Sequence, residues 1–313
     1  MPNTNEYQAP VDAAYEKFRA LEEGKNADFI PALAKMDPRL FGIALVTVYG
    51  EAAKRGDVDS SFTIQSISKV FTLASALEAV GDEAVLEMIG ADATGQVFNS
   101  IVAIEQMKGR EMNPFVNPGA IATVSLVGGK TPEEKWASIL GIHEAFAGRK
   151  LEVNQEVYKS ESENNERNRA IAVLMHSYGR LYADPAVTTD LYTRQCAISV
   201  TASDLAVMAA TLANGGKNPV TGKQVVGQEH IQRILAVMAT AGLYDDSGIW
   251  LYRVGLPAKS GVGGGIIAVA PGRFGIAAFS PPVDHAGNSV RAQKAIQFIA
   301  AELGANPYNA QPL

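Results

Sequence analysis

Strand-like sequence stands at the two ends of this chain and helical sequence fills the middle, and that separation limits the available folds more than any other feature. Near the start, Gly42-Ile43-Ala44-Leu45-Val46-Thr47-Val48-Tyr49 is almost continuously apolar, the pattern of a strand buried on both faces. Lys54-Arg55-Gly56-Asp57 reads as a hairpin turn, and Ser61-Phe62-Thr63-Ile64-Gln65 as a short further strand. Strand patterns return only late, at Trp250 to Val254, Gly265 to Ala270 and Phe274 to Phe279, the last two separated by Pro271-Gly272. Several of these connections are too short for the crossovers that parallel pairing needs, so the sheet is expected to be mostly antiparallel and assembled from both ends. The reading is an α+β (α/β) chain, with residues 1–69 and 241–313 as a sheet-containing part and residues 70–240 as an inserted helical part of one domain overall. A chain of 313 residues buries roughly three quarters of its unfolded surface, enough for such an arrangement.

The helices announce themselves by spacing and by their ends. Val11, Ala14, Tyr15, Phe18 and Leu21 share one face of a helix expected over Pro10 to Glu23, closed by Gly24. After Ser66, apolar residues at 70, 73, 74, 77 and 80 predict a helix that stops at Gly81. Thr131-Pro132-Glu133-Glu134 and Thr201-Ala202-Ser203-Asp204 have the form of capping boxes, opening helices towards Phe146 and over Leu205 to Ala213. Arg169 to Leu181, Gln228 to Thr240 and Ser289 to Leu303 also carry helical spacing.

Charge and composition exclude several function classes. A net charge of −6 offers no electrostatic footprint for nucleic acid, and no Lys/Arg cluster contradicts that. No apolar run approaches membrane-spanning length, and Met1 to Glu6 lacks a basic segment followed by an apolar one, so a cytoplasmic, membrane-free protein is expected. A single cysteine, Cys196, excludes an internal disulfide and a cysteine-based zinc cage, and reads as a small buried apolar residue. His143, His176, His230 and His285 are scattered, which disfavours a metal site or a Ser-His-Asp triad; no metal or cofactor is expected, and His176 reads as a core histidine.

The chemistry is carried by Ser66-Ile67-Ser68-Lys69. Residues three apart share one helix face, so Ser66 and Lys69 can point into the same space, with Ser66 at the positive end of the dipole. On the order of one chance Ser-x-x-Lys is expected in a chain of this size, so a partner is needed. Lys259-Ser260-Gly261 supplies one, because penicillin-recognising serine enzymes pair Ser-x-x-Lys with a Lys-(Ser/Thr)-Gly triad on a facing sheet edge.

Further segments narrow the likeness. Gln65 to Lys69, Asn113-Pro114-Phe115-Val116-Asn117-Pro118-Gly119-Ala120, Ser160-Glu161-Ser162, Asn168-Arg169-Ala170, Tyr192, Tyr244 and Lys259 to Gly265 together resemble the bacterial serine-dependent glutaminases, from about residue 10 to 303. The resemblance implies a β-lactamase-like fold, hydrolysis of L-glutamine to L-glutamate and ammonia, and a homo-oligomer, tetrameric in form. It implies Ser66 as nucleophile, Lys69 as adjacent base, Lys259 as the second cation, and Asn117, Glu161, Asn168, Tyr192, Tyr244 and the Val262 backbone as substrate contacts. Glu161 suits the α-ammonium of free glutamine, and Asn117, Asn168 and Tyr192 its α-carboxylate. Lys69, Tyr192 and Tyr244 stay open as the general base. The Ser-Asp-Asn element of β-lactamases is absent, since Ser203-Asp204 is followed by Leu205.

Taken singly, the same residues have blander readings. Asn117-Pro118-Gly119 has the composition of a turn, Glu161 lies in a charged stretch with loop character, both tyrosines suit packing, and glycines 263 to 265 suit a bulge. Two rival functions share the fold: a D-alanyl peptidase or β-lactamase-like hydrolase, and an amino-acid sensor without turnover.

Overall fold

The computed structural model describes residues 4–110 and 112–309. Its centre is a five-stranded antiparallel sheet in the order β2-β1-β7-β6-β5. The strands are β1 (Gly42–Thr47), β2 (Ala52–Gly56), β5 (Ala258–Gly261), β6 (Gly265–Ala270) and β7 (Phe274–Phe279). A separate two-stranded ribbon pairs β3 (Phe62–Thr63) with β4 (Ser199–Val200). The two chain ends meet where β1 pairs β7 along its full length, from Gly42 opposite Phe279 to Thr47 opposite Phe274.

Alternation along these central strands explains why they look continuously apolar. Ile43, Leu45, Ile266, Ala268, Ile276 and Ala278 face one layer, with the helices Thr4–Phe18 and Val290–Glu302. Ala44, Val46, Ile267, Val269, Ala277 and Phe279 face the other, against the helix Ala202–Ala213 and the helical block beyond it. A strand covered on both faces has no polar side to show. Among the described residues no helix is long and apolar enough to cross a membrane.

Several sequence expectations shift. Lys54 to Gly56 lie inside β2, an exposed edge strand whose charged side chains face solvent; the hairpin turn is at Thr47–Glu51, where Gly50 takes φ +85°. Trp250 to Val254 is not a strand but part of the helix Ser247–Val254. Trp250 and Val254, four apart, bury one face, and Gly255 at φ +78° ends it. The first helix runs Thr4–Phe18 with Pro10 inside it, not Pro10 to Glu23, and the helix expected from Arg169 is Glu166–Ser177. His176 is exposed. The core histidine is His143, fully buried, with Nδ1 2.7 Å from the Ile139 carbonyl; burial pushes its pKa down to about 4, so the ring is neutral. Both capping boxes form, at Thr131 with Glu134 and at Thr201 with Asp204.

Glycines 263 and 264, with Val262, form a tight β5–β6 turn rather than a bulge, and Gly265 opens β6 opposite Gly261. Gly264 sits at φ +99°, and a Cβ there would lie 2.4 Å from the Ser280 carbonyl oxygen. At Gly261 a Cβ would come within 2.9 Å of the Ile64 carbonyl oxygen, so this hairpin presses directly on the segment that carries Ser66. Gly264→Ala is expected to lose about 1–3 kcal/mol of stability from backbone strain alone, read as a lowered thermal midpoint. An unchanged midpoint would show that the turn relaxes freely.

Candidate active site

Ser66 lies in a short 3₁₀ turn, Gln65–Ile67, that runs into the buried helix Ser68–Val80. The turn begins with Gln65 at φ +50°, a left-handed conformation rare outside glycine. Buried polar groups hold it there. Ser68 Oγ donates to the Gln65 carbonyl at 2.7 Å, Gln195 Nε2 donates to Ser68 Oγ at 3.2 Å, and Thr72 Oγ1 donates to Gln195 Oε1 at 2.8 Å. The strained backbone is therefore fixed from below by three side chains with no access to water.

One turn further along, Lys69 is 1% exposed. Its ammonium donates to the Phe115 carbonyl at 3.1 Å and to Asn117 Oδ1 at 2.8 Å, and it forms no ion pair among the described residues. Burial pushes its pKa down to about 8. Asn113 shapes the facing turn, its Oδ1 accepting from the N–H groups of Phe115 and Val116. Asn117 is not a loop residue but the first residue of the wholly buried helix Asn117–Leu126. Its Oδ1 also accepts from the Tyr192 hydroxyl at 3.1 Å, and its Nδ2 donates to Asn168 Oδ1 at 3.0 Å.

On the sheet side, Lys259 on β5 is fully buried, donating to the carbonyls of Gly242 at 2.9 Å and Ser260 at 2.7 Å, over the Tyr244 ring at 4.3 Å. Burial, and then the charge of Lys69, hold its pKa well below the ordinary lysine value. The Tyr244 hydroxyl has Ser66 as a hydrogen-bonding neighbour and is raised above its ordinary pKa by burial, as is Tyr192. Both phenols are protonated at neutral pH.

Ser66, Asn117, Glu161, Asn168, Tyr192, Tyr244 and Val262 line one cavity of about 280 Å³, while Lys69 and Lys259 lie beneath its floor. Glu161 is on the helix Gln155–Glu163 rather than in a solvated loop. It accepts a 2.6 Å hydrogen bond from Gln65 Nε2, and burial raises its pKa to about 7 against that bond. No backbone partner is found for the Val262 N–H among the described residues, which leaves it free to act beside Ser66. Sequence reasoning gave no role to Gln65, Asn165 or Cys196, which also line the cavity. For Gln65 its adjacency to Ser66 was the available signal; Asn165 and Cys196 carried none.

The Glutaminase family model matches residues 24–308. The chain is 56% identical over 299 residues to the glutaminase of Colwellia psychrerythraea, covering 96% of each, and 50% identical to that of Mycobacterium ulcerans, covering 95% of this chain and 92% of the other. Among solved structures it superposes on the probable glutaminase ybaS with a TM-score of 0.97 at 49% identity, covering 98% of this chain and 100% of that one. A probable glutaminase from Bacillus subtilis complexed with 6-diazo-5-oxo-L-norleucine gives 0.86 at 31% identity, covering 98% and 97%.

A carboxylate whose pKa is raised to about 7 is neutral below that pH and ionised above it, so its attraction for a cation grows as pH rises. Apparent affinity for a ligand bearing an α-ammonium group is expected to improve about tenfold between roughly pH 6 and pH 8. Glu161→Gln flattens that dependence. Titration by calorimetry with L-glutamate checks it, and a pH-independent wild-type affinity would contradict it.

Proposed function

The chain belongs to the glutaminase family, of β-lactamase-like fold, and hydrolyses L-glutamine to L-glutamate and ammonia; we propose that it does so through an acyl-enzyme on Ser66, with Lys69 as the base. The observation that carries this reading is Lys69 itself. It is buried one helical turn from Ser66, held among the described residues by neutral oxygens, with a pKa of about 8. About a tenth of such lysines are unprotonated at neutral pH, against less than a thousandth for an ordinary one. Tyr192 and Tyr244 are raised in pKa, which suits them to relay or orient a proton rather than to remove one.

In the proposed sequence, neutral Lys69 takes the Ser66 proton, directly or through the Tyr244 hydroxyl, as Ser66 Oγ attacks the side-chain amide carbon. The oxyanion is held by the N–H groups of Ser66 and Val262, each a contribution of about 3–4 kcal/mol in comparable sites. Collapse breaks the C–N bond, and the proton held by Lys69 passes to the departing nitrogen, which leaves as ammonia. Water then attacks the Ser66 ester by the same route, giving glutamate and restoring the serine. Lys259 sets the electrostatics of the floor: its burial beside Lys69 disfavours two simultaneous ammonium charges.

Substrate polarity fits the cavity wall. Glu161 would take the α-ammonium. Asn117 is committed to Lys69, Tyr192 and Asn168, which turns the Asn168 amide nitrogen outward as a donor for the α-carboxylate. Peptide-bound glutamine lacks the free ammonium and would leave Glu161 unpaired, so free glutamine is favoured.

Ser66→Ala is expected to lower ammonia release by about 10⁴-fold or more while glutamate binding persists. Because the Bacillus subtilis relative holds 6-diazo-5-oxo-L-norleucine, that glutamine-like compound is expected to inactivate the wild type, leaving a covalent adduct of its mass less the dinitrogen lost from the diazo group, but not to label Ser66→Ala. Full ammonia release by Ser66→Ala would remove serine from the mechanism. We further propose a cytoplasmic homotetramer, on the resemblance alone. Light scattering on the purified protein is expected to give four times the 33.2 kDa chain mass, and a single chain mass would refute it.

A further inference from the structure

We propose that the groove between the helices Glu166–Ser177 and Pro185–Cys196 is a second small-molecule site, taking a compact dipolar ligand of the free amino-acid class. The groove is a cavity of about 600 Å³, larger than the cavity over Ser66, and it contains none of the residues assigned to glutamine. Its wall carries charges of both signs. Arg169, anchored by a 2.8 Å bond to the Ser162 carbonyl, supplies a guanidinium for a carboxylate. Asp184 supplies an acceptor for an ammonium, whereas Asp190, also in this wall, is already paired with Arg194 at 3.0 Å and accepts from the Tyr158 hydroxyl. Asp184 Oδ1 caps the helix through the Val187 N–H at 2.9 Å, leaving Oδ2 without a hydrogen-bond partner among the described residues. The Ser162 hydroxyl, also in this wall, is buried without a partner. A ligand carrying one cation and one anion satisfies Asp184 and Arg169 together, whereas a purely anionic or cationic one meets repulsion on one side.

The groove lies back to back with the reaction cavity. On three elements, adjacent residues face the two spaces: Glu161 and Ser162, Asn168 and Arg169, Tyr192 and Thr193. Asn165 lines both, and its Nδ2 donates to Thr193 Oγ1 at 2.6 Å, forming the partition between them. An occupant of the groove therefore bears on the same backbone that positions Glu161, Asn168 and Tyr192, and its effect belongs in KM rather than in kcat.

The test is equilibrium binding of L-glutamate, L-aspartate and L-arginine to the full chain by calorimetry, a readout that does not depend on the glutaminase mechanism. The Ser66→Ala chain is expected to bind at least one of the three at two sites per chain. Ala186→Trp, which fills the groove from an exposed position, removes one site; Arg169→Gln weakens that same site about tenfold or more. Glu161→Gln weakens the other. In an otherwise wild-type background, Ala186→Trp and Arg169→Gln keep kcat for glutamine. One site per chain for all three probes, or two sites that both survive Ala186→Trp and Arg169→Gln, overturns the proposal. Loss of ammonia release in Ser66→Ala with two binding sites retained separates this result from the fate of the catalytic reading.

Discussion

Two lysine ammonium groups sit in one core with no carboxylate of the described residues paired with either, and the rest of the site follows from how they are tolerated. Lys69 and Lys259 are 1% and 0% exposed, and their partners are carbonyl and amide oxygens. Moving an unpaired charge out of water costs several kcal/mol per ion even after relaxation, so burial favours the neutral amine. A paired carboxylate would have restored the charge and raised the pKa. Neutral acceptors satisfy the N–H donors without doing so, which leaves Lys69 close to the pH at which it can give and take a proton. The acceptors must then be held rigidly, and the Asn113 turn, the helix starting at Asn117 and the Gly242 carbonyl are the means.

The same economy governs Ser66. Its 3₁₀ turn starts from a left-handed Gln65, and the side chain of Gln65 reaches across to Glu161 while its carbonyl is tied down by Ser68. The geometry of Ser66 and the acidic end of the cavity are thus linked through one residue. From the opposite side the β5–β6 turn closes on the same segment, at a distance only glycine permits at position 261. The strain at Gln65 is fixed by contacts on both sides, as expected where backbone geometry serves chemistry.

Much of this was legible in the sequence, for identifiable reasons. The β1, β6 and β7 strands, the capping boxes at Thr131 and Thr201 and the helix after Ser66 carry local signals that tertiary structure had no cause to override. The failures are equally physical. Trp250 to Val254 is short and apolar, and only the core beneath it decides between helix and strand. Lys54 to Gly56 has turn composition, yet on an edge strand those charges meet solvent. His143 and His176 have similar sequence surroundings, and only packing buried one of them.

The sequence by itself determined the fold class, the family, and the ordered set of Ser66, Lys69, Asn117, Glu161, Asn168, Tyr192, Tyr244 and Lys259, because residue order and spacing are written in it. Tertiary structure alone decided the protonation states and the pairings. Lys69 and Asn117 stand forty-eight residues apart and Gln65 and Glu161 ninety-six, yet each pair is joined by one hydrogen bond. A pKa depends on what surrounds a group in space, and no local pattern records which carbonyl, amide or carboxylate will arrive there, or that water will be kept out.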